Sequence, residues 1–153
     1  MSAAPGQATE YVLSTAPFVV RRRVRWGECD PAGVVYTGRF VDYLISAVSL
    51  FQDHVFSGFA EGYRKSLGVE TPCKALAMVF NGALWPNDVF DMQVHVAGIR
   101  NSSYDVCVEA TRADGSAAFS ATFSPICIPG AERRAVPIPA EMRARLQAVC
   151  VAK

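Results

Sequence analysis

At 153 residues the chain has room for one domain with one hydrophobic core. Its hydrophobic share of 51% against 19% charged residues is high for a soluble protein, so apolar surface must be hidden inside a protomer or shared between subunits. A formal net charge of +1 argues against a surface built to neutralise many phosphates, and so against nucleic-acid binding.

Residues 1 to about 16 are small and polar, which predicts a flexible N-terminal arm ahead of a single domain over 17–153. No basic start followed by an apolar run precedes Thr15, so no secretory leader is expected. From Phe18 to Trp26 the pattern alternates, with Phe18, Val20, Val24 and Trp26 on one face and Arg21, Arg23 and Arg25 on a wet, basic one. Arg22 breaks the alternation. Glu28-Cys29-Asp30-Pro31-Ala32-Gly33 is a turn by its chemistry, since Pro sets φ and Gly tolerates positive φ. Thr37 can then cap a helix running to Phe51 or His54, apolar nearly all round and therefore buried.

Gly58 to Leu67 predicts a shorter helix closed by Gly68. Ala75 to Trp85 is apolar on both faces, as in a central or interface strand, and the stretch to Pro86 is too short to span a bilayer. Two alternating strands follow, one bearing Met92, Val94 and Val96, the other Tyr104, Val106, Val108 and Ala110, joined by a turn at Arg100-Asn101-Ser102-Ser103. Ala113-Asp114-Gly115-Ser116 is a hairpin signal before a strand over Ala117–Ile128 with Phe119 and Phe123 on one face. Pro139 opens a short amphipathic helix bearing Met142, Leu146 and Val149. One strand, a long buried helix, a short helix and four consecutive strands make an α+β architecture, a sheet curled around a helix.

The chemistry concentrates between Trp26 and Gly38. A carboxylate, Asp30, stands a few residues before the N-terminus of a buried helix, whose first amides, Thr37 and Gly38, carry unpaired N–H groups and a partial positive charge. A polarised carbonyl docked there would gain oxyanion stabilisation, and the carboxylate could attack it or activate a water. On spacing alone an Asp-Pro-x-Gly turn with Asp30 bonding its own backbone explains the residues as well. Cys29 is a poor nucleophile between two carboxylates, and no G-x-S-x-G elbow or Gly-rich nucleotide loop is present. Five scattered cysteines and two histidines offer neither a disulfide framework nor a metal site, and reduced thiols fit a cytoplasmic protein.

Asp30-Pro31-Ala32-Gly33-Val34-Val35-Tyr36 ahead of a long apolar helix resembles the signature of the 4-hydroxybenzoyl-CoA thioesterase family of hot-dog proteins. The similarity runs from Phe18 to the Val136-Pro137-Ile138-Pro139 tail. It implies a hot-dog fold, a curved antiparallel sheet wrapped around a long central helix. It also implies dimers or dimers of dimers with active sites between protomers, and hydrolysis of an acyl- or aryl-CoA thioester. Coenzyme A then enters as part of the substrate, with no metal or other cofactor. The family's catalytic aspartate falls on Asp30 and its carbonyl-polarising amide on Thr37, with Gly33, Val34, Tyr36 and Gly38 lining the substrate. Where the family often carries an aromatic residue and an Asn, this chain has Thr37 and Arg39, and a main-chain role survives that change. For the CoA end the candidates are Arg100, Ser102 and Ser103 in the hairpin turn, with Arg133 and Arg134 near the tail. Two rivals remain at this level: a hot-dog dehydratase or hydratase, for which no histidine stands near the helix start, and a non-catalytic acyl-CoA- or acyl-carrier-binding module.

Overall fold

The computed structural model describes residues 8–151. Its strands are β1 (Glu10–Thr15), β2 (Phe18–Arg23), β3 (Val69–Glu70), β4 (Cys73–Phe80), β5 (Val89–Ile99), β6 (Tyr104–Arg112), β7 (Ala117–Pro125) and β8 (Ile128–Pro129). The helices are α1 (Thr37–Val55), α2 (Ala60–Ser66) and α3 (Ala140–Ala148). Six strands form one sheet in the order β1-β2-β5-β6-β7-β4, and β3 pairs with β8 separately. The α+β expectation, an antiparallel sheet with one long helix, holds.

The N-terminal arm is corrected. Glu10–Thr15 is an edge strand, antiparallel to β2, with Glu10 opposite Arg22, Tyr11 opposite Arg21 and Thr15 opposite Phe18. Glu10 is anchored from its side chain, which accepts from Arg22 at 3.1 Å and from the Ser46 hydroxyl of α1. Residues 1–7 of the predicted arm lie outside the described residues.

Strand β2 also differs from its prediction. Phe18, Val20 and Val24 are buried, but Trp26 is 83% exposed in a 3₁₀ turn over Trp26–Glu28. Arg22 occupies the inward position between Val20 and Val24, its side chain only 16% exposed and held by Glu10 and Glu28. A buried cation needs such partners. The outward Arg21 forks onto Asp91 of β5 at 2.8 and 2.9 Å.

The chain resolves into two compact units. In the first, which includes the described residues up to Ala47 together with 78–94 and 108–121, α1 buries Phe40, Tyr43, Leu44 and Ala47. Ring edges lock this core: Phe40 lies 5.7 Å from Phe119 and Tyr43 5.1 Å from Phe90, centroid to centroid. Such pairs add about 0.5–1.5 kcal/mol beyond the area they bury. In the second unit, residues 48–77, 95–107 and those from Thr122 on, α1 buries Val48, Phe51, Gln52 and Val55. There Gln52 donates to the Tyr104 hydroxyl at 3.2 Å and accepts from Arg64 at 3.2 Å. Phe56 stacks on Tyr63 at 5.1 Å, and α3 inserts Met142 and Leu146.

Helix α1 is less enclosed than its apolar pattern predicts: Ile45 stays 44% exposed. Of the two expectations for strand β4, the central one is corrected, and within the protomer the strand is uncovered. It stops at Phe80, before the Gly82–Trp85 segment that the apolar run had suggested would continue it. It stands at the sheet edge opposite β1, with Leu76 at 42%, Val79 at 58% and Phe80 at 48% exposure. The apolar alternation of β5 and β6 is as expected, with Met92, Val94, Val96, Tyr104, Val106, Val108 and Ala110 buried. Strand β7 ends at Pro125 instead of reaching Ile128, and Phe123 is only half-buried.

Candidate active site

Residues 28 to 36 fold into a small hairpin that delivers the chain into α1. The Tyr36 N–H donates to the Glu28 carbonyl at 3.0 Å, Cys29 bridges Val35, and the Asp30 N–H donates to the Val34 carbonyl at 2.8 Å. At the tip the Gly33 N–H closes a turn onto the Asp30 carbonyl at 2.9 Å, with Gly33 at φ +87°. Val35, buried, docks the hairpin by donating its N–H to the Leu84 carbonyl at 2.9 Å. A β-carbon at 33 meets open space, so strain alone acts there. Gly33→Ala should therefore destabilise by about 1–2 kcal/mol in urea unfolding, without loss of packing.

Asp30 bonds its own turn, as the plain reading of the motif predicts: the Ala32 N–H donates to Oδ1 at 2.9 Å. That bond fixes the carboxyl group and leaves Oδ2 with no partner among the described residues. The side chain is half-buried. Thr37 is itself the first helical residue rather than a cap before the helix. Neither its N–H nor that of Gly38 donates to any described residue, whereas the Arg39 N–H turns back to the Tyr36 carbonyl at 2.9 Å. The Tyr36 ring, 59% exposed, covers Gly38 so closely that a β-carbon there would sit 2.8 Å from Cε1. The hairpin therefore carries Asp30 at its tip and the open amides just beyond its base, on one short piece of chain.

Cys29 sits beside them with its thiol pointing to the Arg25 carbonyl at 3.9 Å. Burial pushes its pKa up, and the charges of Glu28, Asp30 and Asp88 push it further. A raised pKa means less thiolate at neutral pH than an ordinary cysteine has. Cys29 is accordingly a weak nucleophile.

Sequence reasoning missed the group beneath the hairpin. Glu28, its side chain 11% exposed, accepts from the Arg25 N–H at 2.7 Å and from the Tyr43 hydroxyl at 3.0 Å through Oε1, and from Arg22 through Oε2. The Arg22 guanidinium also lies 4.9 Å from the Tyr43 ring centre. Burial, then the Glu28 charge, raises the Tyr43 pKa, so its hydroxyl stays a donor well into the alkaline range. The signal was Arg22, whose break in the alternation marks a charge on the inward face.

The residues predicted for the CoA end belong to the second unit. Arg100 forks onto Asp105 at 2.9 and 2.7 Å and donates to the Ser103 hydroxyl at 2.9 Å. Ser103 is 4% exposed, so its hydroxyl serves that loop rather than facing outward. Ser102 receives the Asn101 side-chain amide at 3.4 Å, and its carbonyl accepts the Cys127 N–H at 2.7 Å. Arg134 pairs with Glu132, while Arg133 lines a cleft of about 180 Å³ with Glu70 and Glu132. No group of three or more His, Cys, Asp or Glu arranged to hold a metal occurs among the described residues, and no described helix is long and apolar enough to cross a membrane.

An antiparallel sheet with one long helix, entered through a carboxylate-bearing hairpin, defines a hot-dog protein. The model of the thioesterase-like superfamily matches residues 24–146, and the chain belongs to that superfamily. Solved structures agree on the fold. A thioesterase-superfamily protein from Jannaschia sp. CCS1 is 24% identical, with 91% of this chain and 96% of that one covered, at a TM-score of 0.79. The 1,4-dihydroxy-2-naphthoyl-CoA thioesterase of Synechocystis is 20% identical over 85% and 95%, at 0.72. A hypothetical protein from Staphylococcus aureus, solved in complex with CoA, is 14% identical over 96% and 87%, at 0.78. No curated protein matches the sequence.

Proposed function

We propose that the protein hydrolyses an acyl- or aryl-CoA thioester to the free acid and CoA, in the manner of the 4-hydroxybenzoyl-CoA thioesterases. The observation that carries this reading is the hairpin: a carboxylate steered by one N–H, its second oxygen open, on the same segment as two undonated helix amides. The thioester carbonyl oxygen docks on the Thr37 and Gly38 N–H groups, where the helix dipole favours the developing negative charge. Each good donor is worth about 3–4 kcal/mol in the transition state. Asp30 attacks the carbonyl carbon to form a mixed anhydride that water opens, or takes a proton from the water that attacks. Collapse of the tetrahedral oxyanion expels the CoA thiolate in either case.

The acyl group lies along Gly33, Val34, Tyr36 and Gly38. No metal or further cofactor enters. The working form is a cytoplasmic dimer, or a dimer of dimers, joined through the exposed apolar edge β4 with active sites between protomers. That arrangement covers Leu76, Val79 and Phe80, which a lone chain leaves in water. Arg133, beside its cleft, is the cation offered to a CoA phosphate, whereas Arg100 has its guanidinium engaged by Asp105. The test is a thiol-release screen across aliphatic and aryl CoA esters with the purified protein. Release from at least one class is the expected result, and tight CoA-ester binding with no release from any would reject hydrolysis.

A further inference from the structure

We infer that Glu28 is a positioning residue for the hydrolysis proposed above: it sets the spacing between the Asp30 carboxylate and the Thr37–Gly38 amides. The inference rests on that functional reading and adds a part to it.

Glu28 is the base of the hairpin in both senses. Its carbonyl holds the Tyr36 N–H at 3.0 Å, the last rung before Thr37, and Asp30 follows two residues later. Its side chain meanwhile gathers three other segments: the Tyr43 hydroxyl two turns into α1, the Arg22 guanidinium of β2, and the Arg25 N–H. The strut is braced further out, because Glu10 of β1 holds the far side of Arg22 and the Ser46 hydroxyl. The anchor therefore fastens the hairpin to helix α1 and to the strand from which it leaves. Tyr43 matters most here, since it is the helix residue through which a shift of the hairpin relative to the helix start is resisted.

With 11% exposure and both oxygens already bonded, the Glu28 side chain is held away from solvent, so it acts through Asp30 and the amides rather than on the thioester. Misplacement of reacting groups by about 1 Å can cost on the order of 100-fold in rate. Glu28→Gln keeps the size but turns one oxygen into an N–H facing the Arg22 guanidinium, which opens that link. Tyr43→Phe removes a single hydroxyl and leaves the Arg22 pair in place.

The test is steady-state thiol release by folded Glu28→Gln, Tyr43→Phe, the double variant and Asp30→Asn, with melting temperature recorded for each. Glu28→Gln should lower kcat by about 10–100-fold with KM within about threefold, Tyr43→Phe should lower it less, and the double variant should show less than the product of the two effects. A kcat equal to that of the parent in Glu28→Gln would overturn the inference, whatever happens to the melting temperature, because a merely structural role moves only stability. Should Glu28→Gln fail to fold, Tyr43→Phe decides alone, and an unchanged kcat overturns the inference. The outcome for Asp30→Asn separates the two readings. Full activity there removes Asp30 from the proposed mechanism, whereas an inactive Asp30→Asn beside a fully active Glu28→Gln rejects only the strut.

Discussion

Asp30→Asn is expected to lower thioester turnover by on the order of 1,000-fold or more while the protein keeps its fold. The substitution is close to isosteric, and the amide oxygen of Asn can still accept the Ala32 N–H that fixes Oδ1 at 2.9 Å. Asn also initiates turns of this kind readily, so the hairpin and its closing bond to Gly33 survive. What disappears is the negative charge and with it both chemical routes. An amide neither attacks a thioester carbonyl usefully nor takes a proton from water. The Thr37 and Gly38 amides remain, so substrate should still bind, and KM should move far less than kcat. Thiol release under saturating CoA ester, beside an unchanged circular dichroism spectrum, makes the measurement. Parent-like release from the purified variant would remove Asp30 from the mechanism.

The second large effect concerns assembly. Replacing Leu76 and Val79 together by Lys should weaken self-association on the order of 100-fold or more, read as a shift from dimer to monomer by sedimentation. Both side chains stand 42–58% exposed on the edge strand β4, so the single protomer loses little when they change. In a paired edge the same ammonium groups would be forced toward a second copy of themselves, and a neighbouring like charge costs several kcal/mol where water is excluded. Hydrolysis should fall with the dimer if the reacting centre lies between protomers. A parent that sediments as a monomer, or a variant that associates as tightly as the parent, would refute pairing through β4.

Particular residues show what could be read before the fold was known. The apolar set Phe40, Leu44, Ala47, Val48 and Phe51 announces α1 because helical spacing repeats within a few residues of itself. The alternation of β5 and β6 is legible for the same local reason. Strand β1 was not legible. Glu10–Thr15 is short and mixed in polarity, and what makes it a strand is its register with β2 and the Glu10 contacts to Arg22 and Ser46, all of which depend on chain closure. Edge status was equally hidden in β4, since an apolar run reads alike whether neighbours cover it or not.

The site divides along the same line. Asp30, Gly33, Thr37 and Gly38 lie within nine positions of one another, so local turn chemistry places them. Glu28, Arg22 and Tyr43 come from a turn, a strand and a helix. No spacing rule joins a carboxylate to a guanidinium six residues back and a phenol fifteen residues on. The surroundings of Ser103 were hidden for a kindred reason: nothing in Arg100-Asn101-Ser102-Ser103 reveals that Asp105 will claim the guanidinium and that Ser103 will be 4% exposed.

The run Cys73-Lys74-Ala75-Leu76-Ala77-Met78-Val79-Phe80 holds one charge, no proline and no glycine, and it stands at an open margin of the sheet. Such a ribbon templates any extended chain that meets it. On the proposed pairing through β4, newly synthesised protomers pass through an interval in which correct mating competes with precipitation. Precipitation recruits many chains where pairing takes two, so it rises more steeply with concentration, and slower synthesis at lower temperature should raise the soluble yield.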